Sequence, residues 1–336
     1  SPEEERFSAG SRKHKASPAL ILAAFAAVYL IWGSTYLAIR IAIATIPPFL
    51  MAGMRFVFAG AVLYAWTRLT GAPKPTLTQW RSATIIGALL LLIGNGGVTW
   101  SELTVPSGIA ALVVATVTVW MVVFDWGLYG AKRPSSATMI GIGLGLTGMM
   151  VLIGPGNVSG ESFNPLGLAA LFFATMGWAA GSLHSRKVDL PKSPFMSTAL
   201  QMLCGGGLLL LAGLLAGETR GFELAEVSLH SWLALLYLSI FGALIAFTAY
   251  VWLLRVTTPA RVSTYAYVNP IIALVLGWAF AGEALTSRAL LAAAIIVAAV
   301  VLIIANRAKT AGKVEPVAPA RTQAQTVGAV CLEKAR

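Results

Sequence analysis

The sequence predicts an all-α polytopic membrane protein of ten transmembrane helices, arranged as an inverted five-plus-five repeat with both termini in the cytoplasm. Three observations carry that expectation. The chain of 336 residues is 57% apolar and 11% charged, with a mean hydropathy of +0.79, outside the range of soluble domains. Its apolar residues fall into successive runs of about twenty, the length that crosses a bilayer as a helix. A pattern in the first run then returns in the sixth.

Residues 1–18 form a polar, basic arm. Apolar runs follow at 19–41, 48–66, 83–101, 106–126, 136–153, 165–185, 195–216, 231–254, 260–281 and 287–305. The first run lacks the small-residue cleavage site of a signal peptide and is expected to remain as an anchor. Connections such as Ile46-Pro47-Pro48 and Gly154-Pro155-Gly156-Asn157 are short and rich in turn formers, leaving no room for a soluble domain. Residues 19–153 and 165–305 make two five-helix units, 154–164 a periplasmic linker, and 306–336 a disordered cytoplasmic tail.

The net charge of +11 does not point to nucleic acid, because the basic residues are spread over loops and interleave with no aromatic patch. They set orientation instead, since Lys and Arg near span ends stay cytoplasmic. One side collects Arg12, Lys13, Arg68, Lys74, Arg81, Lys132, Arg186, Lys187, Arg255 and the tail, and the other has only Arg220 and Arg288 in loops. Trp66, Trp80, Trp126 and Trp252 then form an inner belt and Trp100, Trp232 and Trp278 an outer one, whereas Trp32, Trp178 and Trp120 fall near span centres. Cys204 lies in a span and Cys331 in the tail, so neither a disulfide nor a metal site is expected.

The internal repeat accounts for the central tryptophans. Leu30-Ile31-Trp32-Gly33-Ser34 with Arg40 aligns with Met176-Gly177-Trp178-Ala179-Ala180 with Arg186 at a constant offset. Gly87-Ala88-Leu89 of the third run matches Gly242-Ala243-Leu244 of the eighth, and Pro106 matches Pro259. Five spans per half turn the second copy upside down, an architecture that places the solute near the midplane between the repeats.

Trp32-Gly33-Ser34-Thr35 with Arg40, Pro47-Pro48, Arg55-Phe56, Gly94-Asn95-Gly96, Pro106-Ser107-Gly108-Ile109-Ala110-Ala111-Leu112, Tyr265-Ala266-Tyr267-Val268-Asn269-Pro270 and Gly282-Glu283-Ala284-Leu285-Thr286 together resemble the EamA family of the drug/metabolite transporter superfamily. The resemblance covers residues 19 to 305. It implies an inner-membrane secondary carrier with a small-molecule substrate, usually an exporter of amino acids or related metabolites, some subfamilies resembling aromatic amino acid exporters. No cofactor is implied, and the partners are substrate and lipid bilayer, with the chain a monomer or homodimer. The sequence departs from the family pattern in the fourth span, where Val117-Thr118 stands in place of a proline common among members.

Candidate solute-binding residues are Trp32, Ser34, Thr35, Asn95, Trp120, Trp178, Tyr250, Tyr265, Tyr267 and Asn269, with Gly33, Gly94 and Pro270 as hinge or gating positions. Aromatic walls suit an apolar side chain and attract an ammonium group. Asn269-Pro270 is expected to break the hydrogen-bond ladder of the ninth helix and free a carbonyl near mid-membrane. Asn95 offers an amide between glycines that let the third helix bend. Asp125, Glu102 and Glu283 lie near span ends, so no midplane carboxylate argues for ion coupling. His184 is a titratable candidate, and Arg55 reads as a snorkelling cation or a helix-end partner, with attraction of a carboxylate as the alternative.

Gly143-Leu144-Gly145-Leu146-Thr147-Gly148 fits a dinucleotide-binding pattern but lies within an apolar run, where it reads as a packing face. Asn157-Val158-Ser159 is a glycosylation sequon on the non-cytoplasmic side. Neither HExxH nor G-x-S-x-G is present, so an enzyme is disfavoured. Export of drugs, nucleosides or other small organic solutes, and more distantly a channel, are the alternatives to amino acid transport.

Overall fold

The computed structural model describes residues 17–131, 133–153, 164–257, 262 and 265–311. The basic arm to residue 16, Lys132, the linker with its sequon, Pro259, Arg261 and the tail with Cys331 lie outside the described residues, as do the side chains of Arg255 and Tyr267.

The fold is a bundle of helices joined by short connections. In chain order they are α1 (Pro18–Ala42), α2 (Pro48–Leu69), α3 (Leu77–Ser101), α4 (Ser107–Gly127), α5 (Ser136–Ile153), α6 (Pro165–His184), α7 (Pro194–Leu215), α8 (Leu229–Tyr237, Leu238–Phe247 and Thr248–Val256), α9 (Tyr265–Ala281) and α10 (Ser287–Ala311). Seven of them, α1 to α4 and α6 to α8, are long and apolar enough to cross a membrane, while α5, α9 and α10 carry the shorter apolar stretches Ser136–Gly148, Val268–Ala281 and Ser287–Ile303. Their outward faces present Leu30, Phe58, Phe173, Leu211, Phe241 and Ile271, a surface suited to lipid chains rather than water.

Helix starts follow local chemistry. Proline occupies the first position of α1, α2, α6 and α7, where its missing N–H costs nothing. Asn164, Ser193 and Ser228 cap α6, α7 and α8 by accepting from Leu166, Met196 and Ser231 N–H. The third helix begins at Leu77, six residues before the apolar run, because Thr76 and Gln79 form a reciprocal capping box. That T-x-x-Q signal was present in the sequence, but hydropathy alone passes over it.

Interior irregularities fall in matched places. The middle of α3, Ala88–Asn95, and the middle of α8, Leu238–Phe247, are both wound as π-helix. They lie in the third helix of each half, with Gly87 just ahead of the first segment and Gly242-Ala243-Leu244 inside the second. In α4 the helix is interrupted at Thr116, whose N–H donates to Val113 O and whose carbonyl accepts from Val119, both in tight i to i−3 turns. Its hydroxyl also donates to Val113 O at 2.6 Å. Threonine back-bonding thus bends a helix that has no proline. The opposite holds in α9, which runs through Pro270 as one helix. Pro270 has no N–H to give, so it breaks the hydrogen-bond ladder at one bond without ending the helix.

The two halves interlock. The main contacts pair α2 with α7, α5 with α10, α1 with α9, α3 with α6, α3 with α7, α4 with α9, α4 with α6, α1 with α8 and α2 with α8. Exchanging α1–α5 for α6–α10 turns this set of pairs into itself. Close approach depends on glycine where backbones nearly touch. A Cβ on Gly87 would lie 2.7 Å from Gly205 N and 2.8 Å from Gln201 O, and one on Gly206 would lie 2.8 Å from Val57 N. In the decoy motif, Gly148 packs on Ile296 and Gly145 on Val119, whereas Gly143 faces open space.

Because its neighbours are backbone atoms that cannot rotate away, Gly87→Ala is expected to force α3 and α7 apart and lower stability by about 1–3 kcal/mol. Gly143→Ala adds a methyl where nothing lies within 4 Å and is expected to leave stability unchanged. Thermal unfolding of the two variants in detergent checks the contrast.

Candidate functional site

One face of α1 builds one wall of an internal cavity. Trp32, Thr35, Tyr36 and Ile39 recur at the i, i+3, i+4, i+7 spacing that aligns side chains along a helix, and all four line it. Arg55 and Phe56 of α2, Gly94, Asn95 and Val98 of α3, and Val114 and Val117 around the α4 break add further sides. The second half contributes Trp178 from α6, Gly242 and Phe247 from α8, and Tyr265 and Asn269 from α9. The cavity volume is about 80 Å³. Both π segments end or turn at this space, through Asn95 and Gly242, in keeping with their frequent occurrence at functional sites.

Trp32 is the centre of an aromatic cluster. Its ring lies 5.0 Å from Tyr250, 5.2 Å from Tyr265, 6.1 Å from Trp178 and 6.2 Å from Phe247, with the Tyr265 and Trp178 contacts edge-on. The indole N–H donates to the Gly242 carbonyl across the two halves at 3.2 Å, so the ring is held by both packing and a hydrogen bond. Gly94 leaves room for Trp178, since a Cβ there would lie 3.2 Å from the Trp178 ring. Thr35 spends its hydroxyl on Trp32 O at 2.7 Å. Asn95 accepts from the Thr99 hydroxyl, at 2.9 Å through its backbone oxygen and 3.4 Å through its side chain. Asn269, with its amide nitrogen facing the Tyr29 and Tyr265 carbonyls, donates to both at 3.1 and 3.3 Å. That amide ties α9 to α1.

Of the residues singled out by sequence, Trp32, Thr35, Gly94, Asn95, Trp178, Tyr265 and Asn269 therefore meet at one cavity. Three of the candidate solute-binding residues do not line it. Ser34 lies on another flank of α1, where its hydroxyl donates to Ile31 O at 2.8 Å and exchanges a 2.6 Å bond with the Tyr237 hydroxyl. Trp120 packs edge-on against Phe172 at 5.1 Å, in the seam between α4 and α6. Tyr250 stands behind Trp32 as a second layer. α1 runs unbroken through Gly33, and a Cβ there would lie 2.7 Å from Ile272. Pro270 and His184 also lie off the lining.

Tyr36, Phe247 and Arg55 carry the lining beyond the sequence expectation. Tyr36 was legible as the residue one helical turn beyond Trp32. Arg55 does not snorkel: it is 4% exposed, and neither Nε nor Nη1 has a hydrogen-bond acceptor. Glu102, at a span end by sequence, is fully buried, so nearness to a span end did not mean contact with solvent. Among the described residues no group of three or more His, Cys, Asp and Glu is placed to hold a metal ion.

The sequence profile described as the EamA-like transporter family matches residues 18–154 and 165–305. The chain is 43% identical over 267 residues to the "Uncharacterized inner membrane transporter YedA" of Escherichia coli (strain K12), covering 79% of this chain and 84% of that one. It is 29% identical over 277 residues to "Protein PagO" of Salmonella typhimurium, covering 80% and 87%. A crystal structure at 23% identity superposes with a TM-score of 0.60 over 85% of this chain and 97% of its own, a likeness of fold alone.

Replacing Asn269 with Ala removes both donors to Tyr29 O and Tyr265 O. The variant is expected to lose about 1–3 kcal/mol of stability, read as a lower unfolding temperature in detergent.

Proposed function

The chain belongs to the EamA-like transporter family, and from that premise we propose that it exports amino acids, with neutral and aromatic ones favoured, by alternating access around the cavity beside Trp32. Secondary transport of small metabolites across the inner membrane, by a multi-pass protein that is not an enzyme, is what family membership establishes. Substrate, direction and mechanism are the reading added here.

The observation that carries the reading is a cavity lined by Trp32, Trp178, Tyr265 and Phe247 together with the polar residues Asn95 and Arg55. Aromatic faces hold an apolar side chain and attract an ammonium group by roughly 0.5–2 kcal/mol. Trp32, Thr35, Asn95, Trp178, Tyr265 and Asn269 are the binding residues in this scheme, with Gly94 and the π segments as the places where α3 and α8 flex.

The accompanying topology has ten spans with cytoplasmic termini, two inverted repeats at 19–153 and 165–305, and a periplasmic linker between them. It is supported by the basic residues on one side, by the family match in two segments and by helix pairs that map onto themselves when the halves are exchanged. One chain contains both repeats, so a monomer suffices for transport and a homodimer is compatible with it.

Counterflow in proteoliposomes tests the function: amino acids are loaded one at a time, and uptake of the labelled form is followed. Exchange with neutral and aromatic amino acids is expected, and exchange with none of them would redirect the assignment to other small solutes. Trp32→Ala and Trp178→Ala are expected to insert normally yet lose most of this exchange, and undiminished exchange in both would remove the aromatic wall from the site.

A further inference from the structure

Two carboxylates of the second half are folded onto helix starts of the first. The N-cap residues of α2 and α4 are Pro47 and Pro106, which make no side-chain cap, so the first N–H groups of both helices need acceptors from elsewhere. Glu218, after α7, accepts from Phe49 and Leu50 N–H at 3.1 and 2.9 Å. Glu283, after α9, accepts from Ser107 and Gly108 N–H at 2.7 and 3.0 Å. Each ends an Ala-Gly-Glu sequence whose glycine has positive φ, +74° at Gly217 and +67° at Gly282. Two-point contact of a carboxylate with a helix N-terminus is charge-assisted and complements the helix dipole.

The seams beneath the two clasps differ. α2 and α7 are unbroken and meet at backbone distance, where a Cβ on Gly60 would lie 2.9 Å from Leu203 N, and no residue of α7 lines the cavity. α4 and α9 each carry a weak point beside it. The interruption at Thr116 is followed by the lining residue Val117, and the bond missing at Pro270 adjoins the lining residue Asn269. From there to the face where α4 starts and α9 ends, residues 107–113 and 270–281 supply no lining residue. They pack on each other instead, and a Cβ on Gly108 would lie 2.7 Å from the Leu274 side chain. A cavity of about 20 Å³ beside Ile109, Leu274 and Glu283 leaves this seam incompletely filled.

We propose that these two segments form the gate of the cavity on that face and that Glu283 is its latch, released when the face opens, whereas Glu218 fastens a seam that stays closed. The proposal rests on the reading of the cavity as a solute site served by alternating access. In the topology proposed above this face is periplasmic, so the latch holds the exit shut while solute enters from the cytoplasm. Opening costs α4 both acceptors at its first turn, and the bends at Thr116 and Pro270 let the segments part without moving the rest of either helix.

Electron–electron resonance between nitroxides on Leu103→Cys and Ala284→Cys, in a Cys204→Ala, Cys331→Ala background, reads the gate distance in the full chain without any solute. Wild type is expected to populate mainly the short distance. Glu283→Gln, which keeps the shape and loses the charge, is expected to raise the long-distance population about tenfold. Gly277→Ala is expected to act in the same direction, because its Cβ would lie 2.4 Å from Glu283 Oε2 and displace the carboxylate. Glu218→Gln is expected to lower the melting temperature and leave the gate distance unchanged. If Glu283→Gln fails to fold by its melting curve, Gly277→Ala decides.

A distance distribution like that of wild type in the folded latch variants, or equal opening in Glu218→Gln, would overturn the proposal. Opening confined to the latch variants with no amino acid counterflow would remove the amino acid reading and leave the latch standing. Counterflow in wild type with a gate distance unmoved by both latch variants would do the reverse.

Discussion

The constraint on which the structure depends is that a backbone surrounded by hydrocarbon must satisfy its own N–H and C=O groups. Long helices meet it, and most of this chain is helix. Departures from the regular ladder are tolerated only where protein or a cavity replaces lipid, and here they gather around one space. The π segments of α3 and α8 reach it through Asn95 and Gly242, the interruption of α4 at Thr116 sits beside Val117, and Pro270 follows Asn269. The freed groups are put to use. Gly242 gives its carbonyl to the Trp32 indole, and Thr116 satisfies Val113 with its hydroxyl.

Close packing follows from the same constraint. Lipid is as apolar as leucine, so helices associate by fit rather than by escape from water. Glycines at Gly87, Gly205 and Gly206 let α2, α3 and α7 come within backbone contact. With those helices locked across the two halves, the cavity is left at the seam between them. Its walls are consequently drawn from both halves, which is the geometry that rocking of one half against the other requires.

Within that seam, aromatic rings and charges divide the work. Trp32 is fixed by four rings and a hydrogen bond, so the wall it forms is preorganised. Asn269, a solute-binding candidate by sequence, gives its amide N–H groups to hold α1 to α9. Arg55 is the reverse case: a residue that reads as a surface cation is enclosed beside the cavity with donors to spare. A polar residue's type told less about its availability than did the partners that surround it.

The all-α membrane class, the approximate helix positions, the repeat and seven residues of the cavity were legible in the sequence, because hydrophobic length, turn formers and a recurring central tryptophan are local or periodic signals. Helical spacing from Trp32 also pointed to Tyr36 and Ile39. Tertiary structure alone decided the rest. Whether Ser34 or Thr35 faces the cavity depends on the rotation of α1, which its neighbours set. Whether Pro270 breaks a helix or Thr116 bends one depends on packing at each site. Whether Arg55 and Glu102 meet water depends on helices far away in the chain, since burial is a property of the assembled bundle and position along a span says little about it.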